Sequence, residues 1–332
     1  YHLAERPGYE PYEYPHPRRV EANDGCLPRD SSRCVGGDVY WYDSCEYPGE
    51  KKDACDVDET CLDGACVDEP EPAGDIIHVE DPGEGNDISD ELVAAWEQAS
   101  QGDVVLLPRG NFTIDGTGES DMVYLYIHAP DIHLKGRGSG SGGTRLYRDF
   151  ETSDKMLGFT GGQSPIEISD IWFQGFKPRL VPGGDGITSK TYALSVGNAN
   201  VYLHDCRIQW FTKYALTILM RPYAGSWNNT VISNNEFIDN HRVLDDGEPQ
   251  GSCMAICRME DGDTIWEDVT PGEGNFVFVE DNFFSGSTSP ATGGHGGLYV
   301  FRHNRVERCL EGDGALNMHG GHLDYGHPPT RL

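Results

Sequence analysis

In a chain of 332 residues, 55 acidic against 25 basic side chains leave a formal charge of −30. Such a field repels polyanions and excludes nucleic acid and anionic membrane as natural partners. Forty-two glycines and 20 prolines suit short strands and tight bends, and no run of about 18 apolar residues exists to span a bilayer as a helix.

Residues 1–25 set Tyr1, Tyr9, Tyr12 and Tyr14 among Pro7, Pro11, Pro15 and Pro17. Proline removes helix as an option and favours an extended strip. An arm without a core of its own is expected to lie against its own domain or a neighbouring copy. The chain opens on Tyr1 rather than Met, as expected of a mature secreted chain whose targeting segment has been removed.

Residues 26–67 carry Cys26, Cys34, Cys45, Cys55, Cys61 and Cys66. So short a piece buries too little surface to fold alone, and three disulfides are expected to hold it, as in an oxidising, extracellular compartment. Six cysteines leave fifteen pairings open. The segments Gly37-Asp-Val-Tyr-Trp-Tyr-Asp-Ser-Cys45 and Cys61-Leu-Asp-Gly-Ala-Cys66 resemble the small cysteine-rich modules of secreted bacterial proteins. Residues 68–74, acidic and proline-rich, read as a linker.

From residue 75 to 332 the pattern changes. Ile76 to Val79 reads as a strand, and Ser89 is expected to cap a helix with Leu92, Ala95, Trp96 and Ala99 on one face. Val104-Val-Leu-Leu-Pro-Arg-Gly-Asn-Phe-Thr-Ile114 follows as strand, bend, strand. Beyond it one phrase recurs five times: Ile166-Glu-Ile-Ser-Asp-Ile-Trp-Phe, Val201-Tyr-Leu-His-Asp-Cys-Arg-Ile, Thr230-Val-Ile-Ser-Asn-Asn-Glu-Phe, Val277-Phe-Val-Glu-Asp-Asn-Phe-Phe and Tyr299-Val-Phe-Arg-His-Asn-Arg-Val. Its third residues (Ile168, Leu203, Ile232, Val279, Phe301) and its eighth (Phe173, Ile208, Phe237, Phe284, Val306) are all apolar. Between them stand bend formers, and Asn in a bend tolerates the left-handed conformation while stacked amides can bond along an axis. Recurrence at uneven spacing predicts stacked coils with loops thrown outward. Asp131-Ile-His-Leu-Lys-Gly136 is matched to Asp170-Ile-Trp-Phe-Gln-Gly175 as an earlier coil. A second strand family is read at Ala193, Ala215, Ala255 and Ala315.

On these residues the stretch 75–332 resembles the pectin-lyase-like superfamily, the right-handed, single-stranded parallel β-helix. The resemblance implies an all-β solenoid with the helix plugging its first coil, and it brings polysaccharide cleavage into view, since many members of the superfamily cleave or epimerise polysaccharides. Within that resemblance, Asp245-Asp246-Gly247 and Gly294-His295-Gly296 are similar to two motifs of the polygalacturonase branch, which makes Asp245, Asp246 and His295 the candidate catalytic set for hydrolysis. The Asn-Thr-Asp and Arg-Ile-Lys partners of that branch have no counterpart here. A lyase would instead use a basic strip, for which Lys213, Arg221, Arg258 and Arg302 are the candidates.

Metal candidates come from the bends and the C-terminal end. Carboxylates stacked at about 4.8 Å repel by roughly 3.5 kcal/mol at an effective dielectric of 20. Asp131, Asp170 and Asp205 are therefore expected to be hydrogen-bonded or to share Ca²⁺. His319 and His322 are a second candidate pair, for Zn²⁺. Cys253 and Cys257 are expected to close a small loop, with Cys206 and Cys309 clipping two coils. The last strand has no evident cap, so self-association through the arm and the open end is expected, making the chain a structural subunit of a head-to-tail filament or surface layer. The alternative is a polysaccharide hydrolase or lyase.

Overall fold

The computed structural model describes residues 29, 31–35, 38–42, 48–53, 59–62, 65–68, 74–116, 122–148, 155–161, 165–176, 191–197, 200–220, 230–243, 249–250, 252–258, 276–287, 289–294, 299–308 and 316–318. The chain forms two compact units, Tyr1–Pro70 and Glu71–Leu332. The arm 1–25 lies outside the described residues.

In the first unit, Ser31–Val35, Asp38–Tyr42 and Pro48–Asp53 make an antiparallel sheet, and Glu59–Leu62 pairs antiparallel with Ala65–Asp68. Lys52 lies 4.7 Å above the Trp41 ring and donates to Ser32 at 3.2 Å. Cys66 is disulfide-bonded.

In the second unit almost every strand pairs in parallel with its counterpart one coil away. Three parallel sheets of eight, seven and seven strands result, the arrangement of a parallel β-helix. The first sheet holds Val104–Leu106, Ile132–Lys135, Pro165–Ser169, Asn200–His204, Thr230–Ser233, Val277–Glu280 and Tyr299–Arg302, with Ile76–His78 on its outer edge. The second begins at Gly110–Thr113 and ends at Arg305–Glu307; the third runs from Val123–Ile127 to Leu316–Met318.

The register follows the recurring phrase. Ile168, Leu203, Ile232, Val279 and Phe301 pair in one file, and Phe173, Ile208, Phe237, Phe284 and Val306 in another. All but Phe301 and Val306 are fully buried in a single apolar core. Phe237 and Phe284 stack with their planes 10° apart. Parallel pairing stacks like on like, so each apolar side chain covers the one in the next coil. That burial contributes about 1.5–3 kcal/mol for each large residue.

The bends between the first and second sheets need a positive φ. Asp170, Asp205, Asn234, Asp281 and His303 supply it, at 52–60°. Beside them runs a ladder of amides. Asn235, Asn282 and Asn304 each donate Nδ2 protons to carbonyls of their own and the preceding coil, and each Oδ1 accepts the backbone N–H one coil earlier. The ladder ends at Cys206, a buried thiol that occupies the Asn position and faces the Ile168 carbonyl at 3.9 Å.

The helix Ser89–Gln98 buries Leu92, Ala95 and Trp96 against the first coils, and Trp96 Nε1 donates to the Tyr126 carbonyl at 2.9 Å. Its cap is not Ser89, which lies inside the helix. Asp87 Oδ1 accepts from the Ser89 N–H and hydroxyl instead, doing the work expected of an N-terminal carboxylate.

Three further expectations are corrected. Asp131 does not join the bend file. Ile132–Lys135 is a first-sheet strand paired with Ile166–Ser169, which places Asp131 at the far end of the strand and Gly136 at the bend. A side chain at Gly136 would collide with the Asp170 carbonyl. In the third sheet Ala255 pairs with Thr217 rather than Ala215, a slip of two residues that preserves the face. Finally, Cys206 and Cys253 are thiols, not halves of disulfides. Cys253 and Cys257 lie on one extended strand, Ser252–Arg258. Four residues of strand span about 13 Å, beyond the reach of a disulfide. Cys309 lies outside the described residues.

Candidate functional site

The outward face of the first sheet gathers chemistry from three successive coils. On the strand Ile132–Lys135 the side chains of Ile132 and Leu134 point into the core, leaving His133 and Lys135 outside. The next strand presents Glu167 and, two residues on, Ser169, and the one after it presents Tyr202 and His204. Register sets His133 beside Glu167 and Tyr202, and Lys135 beside Ser169 and His204.

Among the described residues, one group of three metal-ligating side chains comes together: single donor atoms of His133, Glu167 and His204 all lie within 4.8 Å of one another. Glu167 Oε1 is 2.9 Å from His204 Nε2 and 3.6 Å from His133 Nε2. The other nitrogen of His204, Nδ1, faces Asp205 Oδ2 at 2.7 Å. His133 Nε2 also meets Ser169 Oγ at 2.9 Å, and that hydroxyl donates to Asp170 Oδ2 at 2.7 Å. Lys135 Nζ stands 4.0 Å from the same Asp170 oxygen. The Tyr202 ring stacks on His204 at 4.2 Å.

The two imidazoles are driven apart electrostatically. Burial pulls His133 down to about 4 against the attraction of Glu167, and His204 adds to the pull, so His133 is neutral. Burial also opposes charge on His204, but the hydrogen bonds it donates to Asp205 and Glu167 outweigh it and raise the group to about 9. The His204 hydrogen bond holds Glu167 below the usual carboxylate range against its own burial. Desolvation raises Asp170, despite Ser169 and Lys135, and lowers Lys135. Both histidines keep 15% of their side-chain surface exposed and Glu167 keeps 41%, so the cluster opens to solvent through the carboxylate.

A second outward file lies on the second sheet, where Asn111, Arg145, Trp172, Arg207, Glu236, Phe283 and Arg305 are in register. The guanidinium groups of Arg145 and Arg207 lie 4.9 Å from the Trp172 ring, one from each neighbouring coil. This is the basic strip of the molecule as described. Of the expected strip, Arg302 ends a first-sheet strand and pairs with Glu280 at 2.5 Å. Lys213 lies 5.0 Å from the Tyr214 ring at the start of a third-sheet strand, whereas Arg258 is placed opposite Met220 at the other end of that sheet's width. Arg221, Asp245, Asp246, His295, His319 and His322 lie outside the described residues. Of the expected calcium ligands, Asp170 and Asp205 occupy successive bends, while Asp131 is a strand's length away.

A scan of the chain against protein-family models gives no match, and a search of curated proteins gives none either.

His133, Glu167 and His204 carry no local motif, being more than thirty residues apart in sequence. A signal was nevertheless present. The second and fourth positions of the recurring phrase point outward whenever the third points inward, and reading those columns assembles Glu167, Ser169 and His204.

Proposed function

We propose that the protein is an extracellular, polysaccharide-active β-helix protein of the right-handed, pectin-lyase-like kind, with its reaction centre at His133, Glu167 and His204. One observation carries the reading: three consecutive coils deliver ionisable side chains to a single outward patch, at positions where core packing asks for nothing. Ionisable groups gathered and desolvated in this way are characteristic of functional sites. The Arg145–Trp172–Arg207 file supports a sugar polymer as the substrate class. Its members recur every coil, about 4.8 Å apart, with the Trp172 ring holding a guanidinium on each side and the cations suited to uronate carboxylates. On a chain of net charge −30, such a strip is where an acidic glycan would be admitted.

The test is a panel of neutral and acidic polysaccharides assayed for chain cleavage. Cleavage of uronate polymers is expected, with a loss of about 100-fold or more in His133→Gln and His204→Gln. If Asp246→Asn abolishes activity and the histidine variants keep it, the centre lies at Asp245, Asp246 and His295 instead.

A structural role in a head-to-tail assembly is the second reading. Phe301 and Val306 occupy core files but are only partly covered, and among the described residues no strand pairs with the outer edge of Tyr299–Arg302 or Arg305–Glu307. An added copy would satisfy those edges. Light scattering showing a monomer at all concentrations would remove this reading.

A further inference from the structure

We propose that His133, Glu167 and His204 form a Zn²⁺ site with an open coordination position. The inference rests on the reaction centre proposed above and gives it a metal.

The argument is geometric. Zinc bound at about 2.0–2.1 Å by nitrogen and oxygen in a tetrahedron holds neighbouring donor atoms roughly 3.3 Å apart. Glu167 Oε1 stands 2.9 Å from one imidazole nitrogen and 3.6 Å from the other, on either side of that spacing. The donors come from paired strands of one rigid sheet rather than from loops, so small side-chain rotations complete the set. Two imidazoles and one carboxylate are a donor set that leaves zinc a fourth position for water or substrate.

The surroundings supply what a ligand set needs. Asp205 Oδ2 engages His204 Nδ1 at 2.7 Å, which keeps the proton on that nitrogen and turns the Nε2 lone pair toward the cluster. A carboxylate behind a histidine ligand is the usual orienting partner at metal centres. Tyr202 stacks on the same ring and restricts its rotation. Ser169 Oγ, 2.9 Å from His133 Nε2 and anchored on Asp170, stands where it can hydrogen-bond a metal-bound water. On binding, the ion replaces the proton shared by His204 Nε2 and Glu167 Oε1, which leaves to solvent. Neutral His133 moves its proton from Nε2, where it is donated to Ser169 Oγ, to Nδ1 so that Nε2 can ligate.

The experiment is a titration of the full chain, stripped with chelator, with ZnCl₂ in a calorimeter, with no glycan present. Circular dichroism confirms that each variant is folded. Stoichiometric binding of one ion is expected, weakened at least 100-fold in His133→Gln and in His204→Gln. Asp205→Asn, which keeps every ligand, is expected to weaken it 10- to 100-fold. Cobalt substitution is expected to give the intense visible bands of a four-coordinate ion in the wild type and to lose them in both histidine variants. Failure to bind zinc overturns the proposal. So does binding that survives both histidine variants but disappears when His319 and His322 are replaced. The glycan reading fails separately. Zinc binding with no cleavage of any polymer leaves the metal site standing, whereas cleavage by a protein that fails to bind zinc overturns the metal and leaves the glycan reading.

Discussion

Asn282 Oδ1 accepts both the backbone N–H and the side-chain N–H of Asn235, each at 3.0 Å. One buried oxygen thus closes a bend and holds the amide that closes the bend before it. Each amide is at once partner and support, so the ladder couples the corners of successive coils.

Asn282→Ala removes that oxygen and leaves the Asn235 N–H buried without an acceptor, and it takes the Nδ2 donor from the carbonyls of Ile232 and Glu280. Each orphaned group costs about 1–3 kcal/mol, so a loss of about 3 kcal/mol or more is expected. Chemical denaturation checks it. The exposed bend residue Asp281 serves as the control: φ is +57° there, and Asp281→Gly is expected to be neutral within about 0.5 kcal/mol because glycine adopts that conformation without strain.

Cys206 stands where the ladder would take another amide. Cys206→Asn should extend it, with Nδ2 reaching the Ile168 carbonyl that the thiol now faces. A gain of about 1 kcal/mol is expected, whereas Cys206→Leu, which cannot donate, should destabilise. Burial also pushes the Cys206 thiol well above its ordinary range. It should therefore resist a water-soluble thiol reagent until the chain is unfolded, and a colorimetric thiol count with and without denaturant reads this directly.

In the metal-free protein the two histidines of the cluster set opposite pH limbs. His204 is raised to about 9 in the folded state, against 6.5 unfolded. Its contribution is complete below 6.5 and is lost as pH rises toward 9. His133 is lowered to about 4. Its neutral form is favoured, so its contribution is complete above 6.5 and is lost as pH falls toward 4, with the depressed Glu167 acting in the same direction. Lys135, Asp170 and Asp205 are the other charged groups facing the pair. Denaturation midpoints at pH 4.5, 6.5 and 8.5 should be highest in the middle. His204→Gln should flatten the alkaline limb and His133→Gln the acid one.

Trp96 ties the helix to the first coils through its indole bond to Tyr126 and an edge-on contact with Phe159 at 5.8 Å. Trp96→Ala should cost about 3–5 kcal/mol. Trp96→Phe, which keeps most of the packing, should cost less. Melting temperatures of the two variants separate the packing from the hydrogen bond.

The sequence made the coils legible because parallel pairing repeats the same environment at each turn, so Leu203, Ile232 and Val279 announce one file. Where the environment is less distinctive, reading goes astray. Asp131-Ile-His-Leu-Lys-Gly136 mimics a bend followed by a strand, yet its bend is Gly136, which has no side chain to declare it. Ala255 could slip by two because a two-residue shift leaves the same face inward. The His133, Glu167 and His204 cluster was hidden for a different reason. Its members meet only after coil lengths are fixed, and unequal loops conceal those lengths.

Along the ladder, the steps from Cys206 to Asn235, Asn282 and Asn304 are 29, 47 and 22 residues, yet at each one the backbone N–H is accepted by the next Asn Oδ1 at 2.9–3.0 Å. The variation in coil length is absorbed away from the corner joining the first and second sheets, where the turn is one or two residues long. Insertions elsewhere in a coil can therefore change what surrounds the solenoid without altering the spacing of His133, Glu167 and His204. Recognition and the central cluster are mechanically decoupled, and loops can be exchanged by design while the cluster keeps its dimensions.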